Sequence, residues 1–141
     1  MYQRDFILRM IEQVGRIMIA LRNRIFGREI DRQTLRDELD AVAQRTGLDF
    51  ALARRVEPET LMMIVAPTGE LEPGRCWLLA EMFYLDGLQA KLEGRIDEAL
   101  DSLDRARRLY EVLRPRPITI QSFPDAEERI REIDGLLEEV G

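Results

Sequence analysis

The sequence predicts an all-α fold, and three features of it carry that expectation. Residues 76–93 (CWLLAEMFYLDGLQAKLE) are apolar on almost every side when wound at the helical 100° per residue. Residues 7–25 and 126–140 each repeat apolar side chains four and three apart, the period of a helix face. Helix-stop residues punctuate these segments: Gly27, Gly47 and Gly94, then Pro115 and Pro117. The 141 residues suffice for one hydrophobic core, so a single all-helical domain over 1–141 is expected. Its parts are N-terminal helices in 1–72, a helical hairpin in 73–113 and a C-terminal capping helix in 122–141.

The first helix is expected over Tyr2 to Phe26. Ile7, Ile11, Val14, Met18, Leu21 and Ile25 form a seam, widened by Phe6, Met10 and Ile17, with Arg4, Asp5, Glu12, Arg16 and Arg22 opposite. Three uses of that seam remain open at this point: packing inside the monomer, a homodimer interface, or a membrane surface. Phe26-Gly27 ends the helix. Asp31 can cap the next, with Ile30 and Leu35 placed as a hydrophobic staple, and Leu35, Leu39, Val42 and Ala43 face inward as far as Gly47. Asp49 can cap a short segment from Phe50 to Val56. Pro58 suits the first turn of a helix over Pro58 to Ala66. Leu61 to Val65 could be a strand by composition, but Pro58 and its helical neighbours favour a buried helix.

Cys76 to Glu93 should be the central helix, because a segment apolar all round must be covered on most sides. Gly94 suits its left-handed terminus. Ile96 to Leu113 is amphipathic, with acids at its start and arginines towards its end, as the helix dipole prefers. Residues 114–117 are extended by their prolines, and Ile118-Thr119-Ile120 is an extended connector. Ser122 and Asp125 make a capping box for the last helix, in which Ala126, Ile130, Ile133, Leu137 and Val140 form the buried stripe.

Within the hairpin, Gly94-Arg95-Ile96-Asp97-Glu98-Ala99-Leu100, followed by Leu103 and Ala106, resembles the turn and second helix of a tetratricopeptide repeat. Phe83 and Gly87 fall at that motif's aromatic and small first-helix positions, whereas Asp86, Ala90 and Glu111 depart from it. The likeness covers residues 80–113, and no second copy is evident. It implies close helix approach at Gly87, Ala99 and Ala106, with Phe83 and Leu103 filling the gap. It also implies a peptide-binding face of Glu81, Tyr84, Leu88, Lys91 and Leu92, unless flanking helices cover those residues. The opening Met1-Tyr2-Gln3-Arg4-Asp5-Phe6-Ile7-Leu8-Arg9-Met10-Ile11-Glu12 resembles the start of a family of small bacterial proteins that is a domain of unknown function. That second likeness implies kinship and no chemistry.

Charge is uneven. Residues 1–36 carry eight arginines and four acids, net +4; residues 37–104 net −9; and residues 105–141 net −1. Such asymmetry suits self-association or a partner surface. With no histidine, the commonest general base and metal ligand is missing. Cys76 has no imidazole to activate it; Arg75 and a helix start would favour its thiolate mildly, and buried packing is the competing reading. No metal-ligand spacing, cofactor pattern or phosphate loop occurs, so catalysis, metals and cofactors are not expected. One cysteine and no long apolar run suggest a cytoplasmic protein without a membrane span.

Asp86 is out of character among Leu79, Met82 and Ala90. It either faces solvent or needs a buried partner, most plausibly an arginine from another helix. The functional expectation is a non-enzymatic adaptor that binds an unidentified protein or peptide, with a structural homodimer on the first helix as a variant of it. The alternative is nucleic-acid association through Arg16, Arg22, Arg24, Arg28, Arg32 and Arg36, with Arg105, Arg107, Arg108, Arg114 and Arg116 as a second patch. The acidic isoelectric point near 4.9 weighs against it.

Overall fold

The computed structural model describes the backbone of residues 2–115 and 125–140, and side chains from residue 9 onward within those ranges. The described residues form α1 (Tyr2–Phe26), α2 (Arg32–Arg45), α3 (Phe50–Arg55), a 3-10 turn (Pro58–Thr60), α4 (Leu61–Val65), α5 (Pro73–Leu92), α6 (Ile96–Leu113) and α7 (Ala126–Val140). The all-α expectation holds. Pro58 to Ala66 is not one helix, because the chain tightens into a 3-10 turn before α4 begins at Leu61. Helix α5 starts three residues earlier than expected, with Pro73 in its first turn, where a missing N–H is harmless.

Every residue of α5 from Cys76 to Ala90 is buried. It is the central rod: α6 packs along it most extensively, and α1, α2 and α4 close other sides. Gly87 is required by that packing. A Cβ there would lie 2.8 Å from Leu103 Cγ and 3.1 Å from the Leu103 backbone nitrogen, so only glycine allows α6 so close. Gly94 has φ +76°. The amides of Gly94 and Arg95 bond to the carbonyls of Lys91 and Ala90 (3.1 and 2.8 Å), completing the glycine-terminated helix end.

At the other helix ends the details are mixed. Asp31 accepts the Thr34 amide at 2.7 Å and Asp49 the Leu52 amide at 2.9 Å, as their cap roles require. Ile30 and Leu35 are both buried beside the first of these caps. Helix α1 ends at Phe26 as expected, and Arg28 takes the left-handed conformation just beyond it, at φ +55°. The last helix begins at Ala126, with Asp125 accepting the Glu128 amide at 2.9 Å. Asp125 is therefore itself the cap instead of the third helical residue of a box. Ser122, Arg116 and the expected connector Ile118 to Ile120 lie outside the described residues.

Of the three uses left open for the α1 seam, packing inside the monomer is the one the structure shows. Ile11, Val14, Met18, Leu21 and Ile25 are all buried within the single chain, where α1 lies against α5. The apolar stripe is consumed by the chain's own central helix. The side chain of Ile7 lies outside the described residues. No helix among the described residues is long and apolar enough to cross a membrane.

Candidate interaction site

Three surfaces or junctions gather polar side chains, and α5 sets two of them. Asp86 sits in the apolar rod with 2% exposure. Arg36 of α2 reaches its two carboxylate oxygens through Nε and Nη2 at 3.3 and 3.4 Å, and the Ser102 hydroxyl of α6 donates to Oδ2 at 3.0 Å. The buried alternative is thus the one realised, with an arginine partner from another helix. It ties α2 and α6 to one point on α5.

On the opposite side of α5, Glu81 accepts two hydrogen bonds from Arg129 of α7. These run from Nη2 to Oε1 at 2.8 Å and from Nε to Oε2 at 2.9 Å, and the Tyr110 hydroxyl also donates to Oε2. The Arg129 guanidinium lies 4.1 Å from the Tyr84 ring centroid, and its Nη1 reaches Glu132 at 3.0 Å. Arg22 of α1 donates to the Tyr84 hydroxyl at 2.9 Å and to Glu132 at 3.0 Å. Burial pushes the Glu81 carboxyl up from its ordinary value against the pull of Arg129, and burial raises the Tyr84 hydroxyl likewise. Burial alone would lower Arg129, but the Glu81 charge and hydrogen bonds outweigh it and keep the guanidinium firmly protonated.

The predicted peptide face therefore is not open. Glu81, Tyr84 and Leu88 are buried, and Lys91 and Leu92 are half-buried. The face is covered because α1 and α7 meet over it: Arg22 and Arg129 both engage Tyr84, and Lys91 pairs with Glu139 of α7. Sequence reasoning missed Arg129 altogether and placed Arg22 on a solvent face or a phosphate-binding patch, not over Tyr84. The available signal was Arg129 beside Ile130, a charge at the border of the apolar stripe, matching Glu81 at the border of an apolar helix.

The third place is a surface groove between α2, α3 and α6, lined by Arg36, Arg54, Arg55, Glu98, Asp101 and Ser102. Arg105 pairs with Asp101 of that lining at 3.0 Å. This buried side chain donates through Nη1 to the carbonyls of Ala53 and Val56 (3.0 and 2.6 Å), satisfying the end of the short helix α3. Arg54 lies over the Phe50 ring at 4.5 Å. The segment running from this groove into α4 carries Leu52, Met62 and Met63 exposed at 43%, 38% and 72%. The remaining large apolar side chains exposed among the described residues are Ile19 and Phe26 of α1 and Ile96 and Leu100 of α6.

The arginines proposed to follow phosphates are largely neutralised within the chain. Arg22 pairs with Glu132, Arg24 with Glu38, Arg32 with Glu98 and Arg36 with Asp86. Arg105, Arg107, Arg108 and Arg114 pair with Asp101, Asp134, Asp104 and Glu127. Arg28 reaches the Leu92 carbonyl at 3.5 Å, at the C-terminus of α5. Cys76 is buried, its thiol facing the Leu109 carbonyl at 3.3 Å, and burial pushes it up to about 12. That environment is one of packing and disfavours a thiolate. Among the described residues no group of three or more acids and cysteines is arranged to hold a metal ion.

The chain matches no family model, no curated protein and no solved structure.

Proposed function

We propose that this chain is a non-enzymatic adaptor of the bacterial cytoplasm, built around a tetratricopeptide-like hairpin, that works by binding another protein. The observation that carries the reading is the exposure of Met63, with Met62 and Leu52, on the segment from α3 to α4. Large apolar side chains left in water beside a charged rim are typical of a protein-binding surface, and flexible methionines adapt to a partner's shape. Arg55 lies exposed at the end of α3, whereas Arg54 pairs with Asp40 at 3.4 Å, so an acidic group beside apolar anchors is the complementary partner. The hairpin's first-helix face contributes to the scaffold in this reading. The neutralised arginine patches make nucleic acid the weaker alternative.

The test is affinity capture with the whole chain and with a Leu52→Asp/Met63→Asp variant, in the presence of nuclease. A defined protein held by the parent and lost at least about tenfold in the variant, with unchanged circular dichroism, is the expected result. Equal retention by both chains refutes this surface. Capture abolished by nuclease would promote the nucleic-acid reading instead.

A further inference from the structure

Most arginines among the described residues are held against a carboxylate or a carbonyl, as Arg24, Arg54, Arg75 and Arg114 are. Arg9 of α1 and Arg45 of α2 differ, since neither has a hydrogen-bond or ion-pair partner among the described residues. Both line one open cleft of about 420 Å³, together with Met10 and Gln13. A space of that size is within the range of small-molecule sites. No acid is among its described lining residues, although the chain as a whole carries a net charge of −6. The groove between α2, α3 and α6 makes the contrast: there Glu98 and Asp101 already face the arginines.

The local structure accounts for the two unused guanidiniums. Arg9 and Gln13 stand four residues apart on one exposed face of α1, and Met10 between them is half-buried against the core. The wall of the cleft is mostly carbon. Arg45 ends α2, where the helix dipole favours a cation, but the carbonyls there are already occupied. The amides of Leu48 and Gly47 bond to the carbonyls of Ala43 and Gln44 at 2.8 and 3.3 Å, and the Thr46 hydroxyl donates to Ala43 at 2.9 Å. Two guanidiniums that share a cleft without an acid repel each other, and an anion between them turns that repulsion into attraction.

We propose that this cleft binds a small organic anion, an aliphatic carboxylate with its head between Arg9 and Arg45 and its chain on Met10. The planar fork of arginine matches a carboxylate, and the Gln13 amide supplies a further donor. The chain of the ligand is specified by Met10, because a bare oxyanion would leave that thioether and the carbon wall in water. This cleft shares no residue with the α3–α4 surface, so it stands apart from the adaptor reading.

Titration of the whole chain with octanoate, acetate and inorganic phosphate, followed by amide and methionine-methyl resonances, tests the assignment. Octanoate should move the Met10 methyl and the Gln13 side-chain amide, and bind at least about tenfold more tightly than acetate, because only its chain covers Met10. Arg9→Gln/Arg45→Gln should weaken octanoate at least about tenfold with unchanged circular dichroism, since both side chains are exposed and hold nothing else in place. Met10→Ala should bring octanoate close to acetate. Octanoate that binds parent and double variant equally, or fails to bind the parent, would overturn the proposal. Phosphate bound as tightly as octanoate and lost in the same variant would replace the carboxylate by a plain oxyanion. Capture of the parent by anionic phospholipid vesicles without binding of free octanoate would give the arginines to a membrane surface and overturn the cleft.

Discussion

Replacing Arg129 by methionine probes the connection between charge burial and the attachment of α7. The Arg129 side chain is 5% exposed, binds Glu81 twice, and stacks on Tyr84. Removing one member of a buried ion pair ordinarily costs about 3–5 kcal/mol, since the other charge stays stranded. Here Glu81 has an escape, because lifting α7 lets water reach it. The loss is then capped by what holds α7 down. Burial of Ile130 and Ile133 contributes roughly 1.5–3 kcal/mol each. Half-buried Ala126, Leu136 and Leu137 add further apolar contact, the exposed ion pairs add little, and ordering the helix removes part of the total. We expect Arg129→Met to lower global stability by about 3 kcal/mol in urea titrations followed by Trp77 fluorescence. The folded-state helical signal should drop by the share of α7. Adding Glu81→Gln should recover about 1–2 kcal/mol, because no buried charge remains and Tyr110 keeps an acceptor. An Arg129→Met chain within about 0.5 kcal/mol of the parent, with full helical signal, would refute the reasoning.

Three further perturbations address other parts of the structure. Gly87→Ala should destabilise by about 1–3 kcal/mol in thermal or urea unfolding, because its Cβ meets Leu103 side chain and backbone and α6 must move; an unchanged midpoint would show that α6 yields freely. Asp86→Ala should cost about 2 kcal/mol, less than a fully buried pair, since Arg36 keeps 22% side-chain exposure and can turn to solvent; a loss below about 0.5 kcal/mol would contradict the observed pairing. Acid should destabilise the fold through Asp31, Glu127 and Asp134, held below their ordinary values by the Thr34 amide, Arg114 and Arg107 respectively. A lowered folded value means stability fully present above the unfolded value near pH 4 and lost as pH falls through the folded one. Urea midpoints should therefore decline below about pH 4, more shallowly in Glu127→Gln/Asp134→Asn, while Glu81, raised by burial, acts in the opposite sense as pH falls toward its folded value.

What the sequence disclosed was local. The four-three period of α1, the all-round apolarity of α5 and the glycine end at Gly94 are decided by neighbours within a few residues, and the structure repeats them. Close approach at Gly87 was legible because the small residue and Leu103 belong to one hairpin. The errors arise where one local pattern has several tertiary uses. Ile11 to Ile25 reads the same whether it faces a second copy or α5, and only the packing of α1 on α5 decides. Whether Tyr84 and Leu88 form a free face is not decided locally, because their cover comes from α1 and α7, far away in sequence. Ser122 and Asp125 can each cap a helix, and nothing local ranks them. Arg28 in a left-handed turn beside an available Gly27 runs against local preference altogether.

The buried polar residues of α5 explain why so apolar a rod holds its neighbours in one arrangement. A helix coated with Leu, Met and Phe can accept partners at many rotations, because aliphatic contact is nearly indifferent to register. Glu81, Asp86 and Gln89 break that degeneracy by pointing in different directions. Glu81 meets Arg129 of α7, Asp86 meets Arg36 of α2, and Gln89 donates to the Ile30 carbonyl at 2.7 Å, at the turn between α1 and α2. Each contact is satisfied by one placement of its partner, and a slip along the rod would strand a polar group in the core. Replacing such pairs by apolar residues of similar size is often neutral or stabilising. The gain from these three residues is therefore better sought in specificity than in stability. A Glu81→Leu/Arg129→Met chain should remain folded, yet show broadened amide resonances along α7, as the helix samples more than one register on the rod. Sharp resonances at a single register would assign the specification to Ile130 and Ile133 alone.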